Sequence, residues 1–399
     1  MSGSSFYKNS ARKEYKLTTA QREEYRRISN QSRQAKLAAE QGLFEPIHAI
    51  PTPRFNPDSL MPLLTPNHLT YLSLFSGGGG MDLGFDRAGF SHYASYELIP
   101  ICGQTYLNNR PHWLAFTGLE AGDVTKVNWD RYENKVDIIQ GGPPCQPFSI
   151  AGEQQGENDE RNMWGEFSRA INAIKPQAFV AENVLGLLNP KFESFIERFI
   201  LEPLADYSIV KFEINSADFG VPQIRRRVFF VGFRSLEALR KFTIPQATHV
   251  WEHLGTIESS LQTALSFEAP KPKTMGVREA LGLKDIGFDN LAPTIRSGFT
   301  GKRNTTSILN SAAGQKSWAD LLVWPNGIQA TREKAAQFPA KLDHFRLSVQ
   351  DVALLQGFPE SWKFAGAVYQ VLGQIGNSVA PPVAYQVAKN VALALKSNI

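Results

Sequence analysis

The chain has 399 residues, enough for two domains and a large core, with 42% hydrophobic residues and a formal net charge of +4. Its two cysteines, Cys102 and Cys145, form no CxxC or Cys/His cluster, which argues against a disulfide framework and a structural zinc site. With neither a leader pattern nor an apolar run of bilayer length, the expectation is a cytoplasmic protein with no membrane partner and no metal, mildly basic enough to accept a polyanion.

Residues 1–65 read as a basic extension and linker. Arg12, Lys13, Lys16, Arg22, Arg26, Arg27, Arg33 and Lys36 outnumber the acids Glu14, Glu23, Glu24 and Glu40. Thr18 with Gln21 has capping-box spacing for a helix start. A basic arm along phosphates and a solvated helical extension both fit this composition. Pro46, Pro51, Pro53, Pro57, Pro62 and Pro66 then mark a linker.

Residues 71–75 read as a buried strand, followed by Ser76-Gly77-Gly78-Gly79-Gly80. Glycines between a strand and an amphipathic segment let the backbone turn tightly and approach a ligand closely. The next strand, 93–96, ends at Glu97, a carboxylate that suits the hydroxyls of a ribose. These features point to a nucleoside cofactor without separating dinucleotides from S-adenosylmethionine. Residues 98–109 read as a helix with Cys102 on its packing face. Asp123, in the turn 122–125, is a second candidate cofactor contact or a plain Asx-turn residue.

The apolar run 136–140 leads into Gly141-Gly142-Pro143-Pro144-Cys145-Gln146-Pro147-Phe148-Ser149. Cys145 therefore sits beyond the carboxyl end of a strand, where open α/β sheets place their ligand crevice. Prolines on either side fix the local backbone, and an aimed thiolate is a candidate nucleophile. Residues 150–162 read as a long loop suited to closing over it. A fourth strand, 178–181, delivers Glu182 to the same rim, as a candidate catalytic acid.

Strands at 208–214 and 228–233 flank Gln223-Ile224-Arg225-Arg226-Arg227, a turn whose arginines either form a solvated surface or hold a carboxylate or phosphate. Through residues 236–335 the α/β rhythm disappears. Residues 298–307 interleave basic, aromatic and hydroxyl side chains, a mix that suits DNA contacts or an irregular surface domain. Order returns with a helix from 347 to Gly357-Phe358-Pro359. Gly376-Asn377-Ser378-Val379 then leads into a final apolar helix, 383–395.

Taken together, these stretches resemble the DNA (cytosine-5)-methyltransferases, especially the bacterial type II modification methylases, from about residue 70 to the end. The resemblance rests on Phe75-Ser76-Gly77-Gly78-Gly79, Pro143-Pro144-Cys145-Gln146, Glu182-Asn183-Val184, Gln223-x-Arg225-x-Arg227, the 346–359 stretch and Gly376-Asn377-Ser378-Val379. It implies a Rossmann-like, doubly wound α/β fold with a mixed sheet and a smaller irregular target-recognition domain. The catalytic domain would span 66–235, the recognition domain 236–335, and residues 336–399 would return to complete the first. Cys145, Glu182, Arg225 and Arg227 would be catalytic. Phe75, Gly77, Gly79, Glu97, Asp123, Pro144 and Asn377 would bind S-adenosylmethionine. Gln146, Ser149, Gln223, Thr294 and Arg296 would meet double-stranded DNA, with the protein a monomer on its duplex. A tRNA methyltransferase of the same fold is the nearest rival, and a nicotinamide-dependent oxidoreductase using the glycine turn is a more distant one.

Overall fold

The computed structural model describes residues 48–144, 163–251, 270–296, 306–309, 311–337 and 344–396, with isolated positions between 18 and 38. Its centre is one seven-stranded sheet: β1 (Thr70–Leu74), β2 (Ser91–Glu97), β3 (Ala115–Thr117), β4 (Ile138–Gly141), β5 (Ala178–Val184), β6 (Ser208–Asn215) and β7 (Arg226–Phe233), in the order β3-β2-β1-β4-β5-β7-β6. The pairs from β3 across to β5 are parallel. β7 runs antiparallel to both β5 and β6.

The inner strands are apolar on both faces because both faces are covered. Tyr71, Ile138, Val180 and Val231 belong to one core, and Leu72, Leu74, Ile139 and Phe179 to the other. On the second face lies α3 (Trp164–Ile174), burying Trp164, Phe167, Ile171 and Ile174 at helical spacing. The first face carries α1 (Gly80–Arg87) and the last helix, α6 (Pro381–Leu395). These two helices approach so closely that a Cβ on Gly84 would lie 2.5 Å from that of Ala384. This contact docks the chain's end against its first βα unit. α2 (Pro100–Asn109), α4 (Val349–Leu355) and α5 (Val368–Asn377) complete the frame around the site.

The region between β7 and α4, in its described residues, forms short helices and one two-stranded pair in place of the βα alternation. Its β8 (Val323–Gln329) pairs in parallel with β9 (Phe345–Ser348). Val277, Ala280, Leu281, Ile295 and Trp318 from this region are buried in the same core as Tyr71 and Val387, so apolar packing continues across from the catalytic sheet.

Two elements differ from the sequence expectation. β5 does not stop at residue 181 but runs to Val184, because β7 pairs with it along the whole length from Ala178↔Phe233 to Val184↔Arg227. The proline-rich stretch read as a linker is, from residue 48 on, packed against the domain it leads into. Arg54 and Phe55 donate backbone N–H bonds to Ala280 O at 3.0 and 3.1 Å, and Leu64 donates to Arg87 O at 2.9 Å. Phe55 and Met61 are buried, and Asp58 pairs with Arg87. Prolines favour extended backbone without needing a partner for their missing N–H, and the apolar side chains between them fasten that backbone as a strap. No helix among the described residues is long and apolar enough to cross a membrane.

Candidate active site

β1 is the switch point of the sheet: the chain moves outward through β2 and β3 on one side, then returns as β4 on the other. Ligand crevices of open α/β sheets form at such a point, beyond the carboxyl ends of the strands. Along that rim lie the glycine turn after β1, Glu97 ending β2, Asp123 after β3, Gly142 to Pro144 after β4, and Glu182 on β5.

The glycine turn is backed from behind and open in front. Phe75, Gly77 and Gly79 have φ of 56°, 55° and 80°, the left-handed region that strains most side chains. A Cβ on Gly78 would meet Ser378 Oγ at 2.9 Å, on Gly79 Trp362 at 2.7 Å, and on Gly80 the Val379 carbonyl at 2.2 Å. At Gly77 the nearest atom would be Phe75 O, 3.9 Å away, so this glycine alone faces open space. Glu97 stands beside it, 9% exposed; its Oε2 accepts from Gly77 N at 2.7 Å and its Oε1 from Ile99 N at 2.9 Å. Burial raises the Glu97 pKa, and the backbone N–H groups offset part of that rise. Asp123 caps a short turn, accepting from Thr125 N at 3.1 Å and Thr125 Oγ1 at 2.7 Å, and lies 3.4 Å from Lys126 Nζ. A half-buried aromatic ring, an open glycine and two acids at neighbouring strand ends form a donor and acceptor set that fits an adenosine-bearing cofactor.

Across β1 the strand register assembles a second cluster. Gly141 pairs with Ala181, which brings Gly142 alongside Glu182. A Cβ on Gly142 would lie 3.3 Å from Glu182 Oε2. Val184 pairs with Arg227, and alternation puts Glu182 on the same face one diagonal step away. Arg227 Nε accordingly reaches Glu182 Oε1 at 2.8 Å. Asn183 points the other way, where its Nδ2 donates to Pro143 O at 3.1 Å. Adjacent residues of one strand thus carry the acid and hold Pro143, the second residue before Cys145 in the sequence. Burial pushes the Glu182 pKa up, against the pull of Arg227 and then Arg225.

The sequence model of the C-5 cytosine-specific DNA methylases matches residues 69–392. The chain belongs to that family. It is an enzyme, a DNA (cytosine-5) methyltransferase. It is 32% identical to the type II methyltransferase M.NgoMIV of Neisseria gonorrhoeae, over 82% of this chain and 98% of that one. It is also 32% identical to M.NaeI of Lentzea aerocolonigenes, over 82% of this chain and 75% of that one. Among solved structures, the Entamoeba histolytica methyltransferase EhMeth is similar in fold, with a TM-score of 0.53 at 14% identity, covering 83% of this chain and 99% of that one.

In this methylase the structure gathers Phe75, Gly77, Gly79, Glu97, Asp123, Pro144 and Glu182 on one rim. Asn377, exposed at the end of α5, arrives from the far end of the chain. Arg296 is also exposed. Gln223 is fully buried: its Nε2 donates to Gln356 Oε1 at 2.8 Å and to Leu355 O at 3.2 Å, and its Oε1 accepts from Ile295 N at 3.0 Å. A side chain with no accessible surface does not meet a duplex, so Gln223 belongs to the scaffold. Thr294 Oγ1 donates to Ile224 O at 2.7 Å, pinning the 292–296 segment to the Gln-Arg turn. Arg225 is 1% exposed and donates to the carbonyls of Ile295, Gly376 and Ser378. Cys145, Gln146 and Ser149, the loop 150–162 and most of 298–307 lie outside the described residues.

The sequence reading passed over Asp82, which lies fully buried on α1 beneath the glycine turn. Its Oδ2 accepts from Tyr106 OH at 2.7 Å, and the same hydroxyl lies 3.4 Å from Ser76 O. Burial raises its pKa to about 6. The available signal was an acid between Met81 and Leu83, where the helix turns inward.

Proposed function

We propose that this methylase transfers a methyl group from S-adenosylmethionine to C5 of a cytosine swung out of a short double-stranded DNA sequence, through a covalent bond between Cys145 Sγ and C6. The single observation that carries this reading is the arrangement at the β4 and β5 ends. Glu182 and Arg227 are paired at 2.8 Å beside Gly142, and Asn183 fixes the Pro143 carbonyl two residues before the cysteine.

Cytosine C5 is too weak a nucleophile to take a methyl group unaided. Bonding of the Cys145 thiolate to C6 pushes electron density toward C5 and loads charge on N3. Glu182, its proton favoured by burial, hydrogen-bonds or protonates N3. Arg227 keeps the Glu182 carboxyl aimed into the rim. S-adenosylmethionine supplies, when bound, an electrophilic methyl group on a sulfonium sulfur. Gly77 would give it backbone room, Glu97 would accept from its ribose hydroxyls, and Phe75 and Asp123 would contact its adenine. After loss of the C5 proton, departure of Cys145 from C6 restores the thiolate. The target atom is inaccessible inside a duplex, so the base must be extruded. The exposed Arg296, with Gln146 and Ser149, would face the DNA.

The relatives' names support placing the enzyme as the modification partner of a type II restriction endonuclease, protecting DNA at a shared site. The DNA family model likewise favours duplex DNA over tRNA. Duplex DNA carrying 5-fluorocytosine tests the mechanism, because fluorine cannot leave C5. The unaltered protein should form a trapped covalent complex, and Cys145→Ser should bind DNA yet form none. Methyl label entering only tRNA, or turnover retained by Cys145→Ser, would sink the proposal.

A further inference from the structure

Arg225 touches neither of the clusters on the rim, yet it is tied to the segments that build them. Its Nη2 carries two hydrogens and donates one to Gly376 O and one to Ser378 O, each at 2.9 Å. Asn377 lies between those two carbonyls, exposed at the end of α5. Nη1 of the same guanidinium donates to Ile295 O at 3.3 Å, inside the 236–335 stretch read as the recognition region. The arginine's own backbone is fixed, because Arg225 N donates to Asn215 Oδ1 at 3.0 Å and Ser216 N donates to Arg225 O at 2.9 Å.

These bonds close into a ring. Ser378 O accepts a second bond from Gln356 Nε2 at 2.8 Å. Gln356 Oε1 accepts from Gln223 Nε2 at 2.8 Å, and Gln223 Oε1 accepts from Ile295 N at 3.0 Å. Every member is buried, from Gln223 and Gln356 at 0% exposure to Ser378 at 6%. On its outer side the ring presses on the glycine turn: Ser378 Oγ and Val379 O are the atoms a side chain on Gly78 or Gly80 would strike. Arg225 Nε is buried without a partner among the described residues, so the guanidinium is held by its Nη donors alone; out of reach of water, those bonds are costly to break, and the ring resists small distortions. A guanidinium carries the fork that can bond several carbonyls at once, whereas an ammonium is a point charge.

We infer that Arg225 is a positioning residue: by holding the Gly376–Ser378 carbonyls it presents Asn377 and the glycine turn to S-adenosylmethionine, and by holding Ile295 it couples cofactor affinity to engagement of the recognition region with DNA. This rests on the reading that the cofactor occupies the rim beyond β1 to β3. Displacement of Ile295 by bound DNA reaches the cofactor side through one rigid ring, and by linkage the cofactor biases DNA binding equally.

The test is a double-mutant cycle on the full chain. S-adenosylmethionine affinity is measured by equilibrium dialysis, with and without unmethylated plasmid DNA, for Arg225→Lys, Asn377→Ala and the pair, and thermal unfolding reports that each variant is folded. Arg225→Lys should weaken cofactor binding about tenfold and shrink the effect of DNA on that affinity. Because part of the arginine's effect runs through Asn377, the losses in the double variant should combine to less than the product of the two single ones. Gln356→Met, which removes the other bond to Ser378 O and leaves the arginine in place, should shift affinity the same way by less. Wild-type cofactor affinity in a folded Arg225→Lys, or losses that multiply in the double variant, would overturn the inference alone. No S-adenosylmethionine binding by the unaltered protein would overturn the functional reading and the inference with it.

Discussion

The two carboxyls of the rim, Glu97 on β2 and Glu182 on β5, are both buried strand-end acids with elevated pKa values, yet they are held in opposite ways. Glu97 is gripped by the backbone N–H groups of Gly77 and Ile99, neutral dipoles of the turn it stabilises. Glu182 is gripped by a charged side chain, Arg227, projecting from the neighbouring strand. Backbone donors cannot move without unmaking the turn, which suits a group that defines a fixed binding shape. An arginine can reorganise as a charge develops nearby, which suits a group whose proton inventory changes during the reaction. On the proposed mechanism, the half of the site that would bind the cofactor is thus made of local backbone, and the half that would carry the chemistry of cross-strand side chains.

This contrast breaks first at Glu182. Glu182→Gln keeps the size and one acceptor but cannot supply the same acid, so kcat should fall about 10²–10⁴-fold while S-adenosylmethionine affinity stays near wild type. In the wild type, rates should decline as pH rises through the elevated pKa of Glu182, since the protonated form does the work. The glutamine variant should lack that limb, and a variant that keeps it would remove Glu182 from the chemistry. Glu97→Gln is the mirror experiment. It should raise the Kd for S-adenosylmethionine roughly 10-fold or more, measured by dialysis, and leave kcat at saturation nearly unchanged, because only uniform binding is lost. An equal fall in kcat would erase the distinction between the two halves.

The smallest expected effect on turnover and cofactor binding concerns Asp82, whose carboxyl lies below the binding half and shows instead in stability. Its pKa is about 6 in the folded protein against an ordinary 3.8, so folding takes up a proton between those values. That contribution is complete below pH 3.8 and is lost as pH rises through 6, a cost of about 3 kcal/mol at neutral pH for two pKa units. Asp82→Asn should flatten the fall of Tm between pH 5 and 7, and Tm curves of unchanged slope would show that Asp82 does not titrate in this range.

The catalytic strands were legible in the sequence because each is a short apolar run ending in glycine, proline or an acid. Those ends fall on one rim in any parallel α/β sheet. The same logic found Glu97, Glu182 and the turn that carries Cys145 without any knowledge of their neighbours. What the sequence could not show was a partner far away in the chain. Gln223 and Arg225 sit in a turn of polar residues that looks like surface, yet Ile295, Gln356, Gly376 and Ser378 close over them. The prolines before residue 66 have the composition of a linker, yet Ala280 offers its carbonyl to Arg54 and Phe55.

The sequence by itself determined which chemistry-bearing residues this enzyme owns and that its strand ends bring them to one edge, since periodicity and turn residues are local properties. Only the tertiary structure decided which of them face the crevice and which become its hidden frame. Burial depends on segments a hundred residues or more apart in the chain, as Arg225 and Ser378 are. A guanidinium among carbonyls and one beside a carboxylate are written with the same letter.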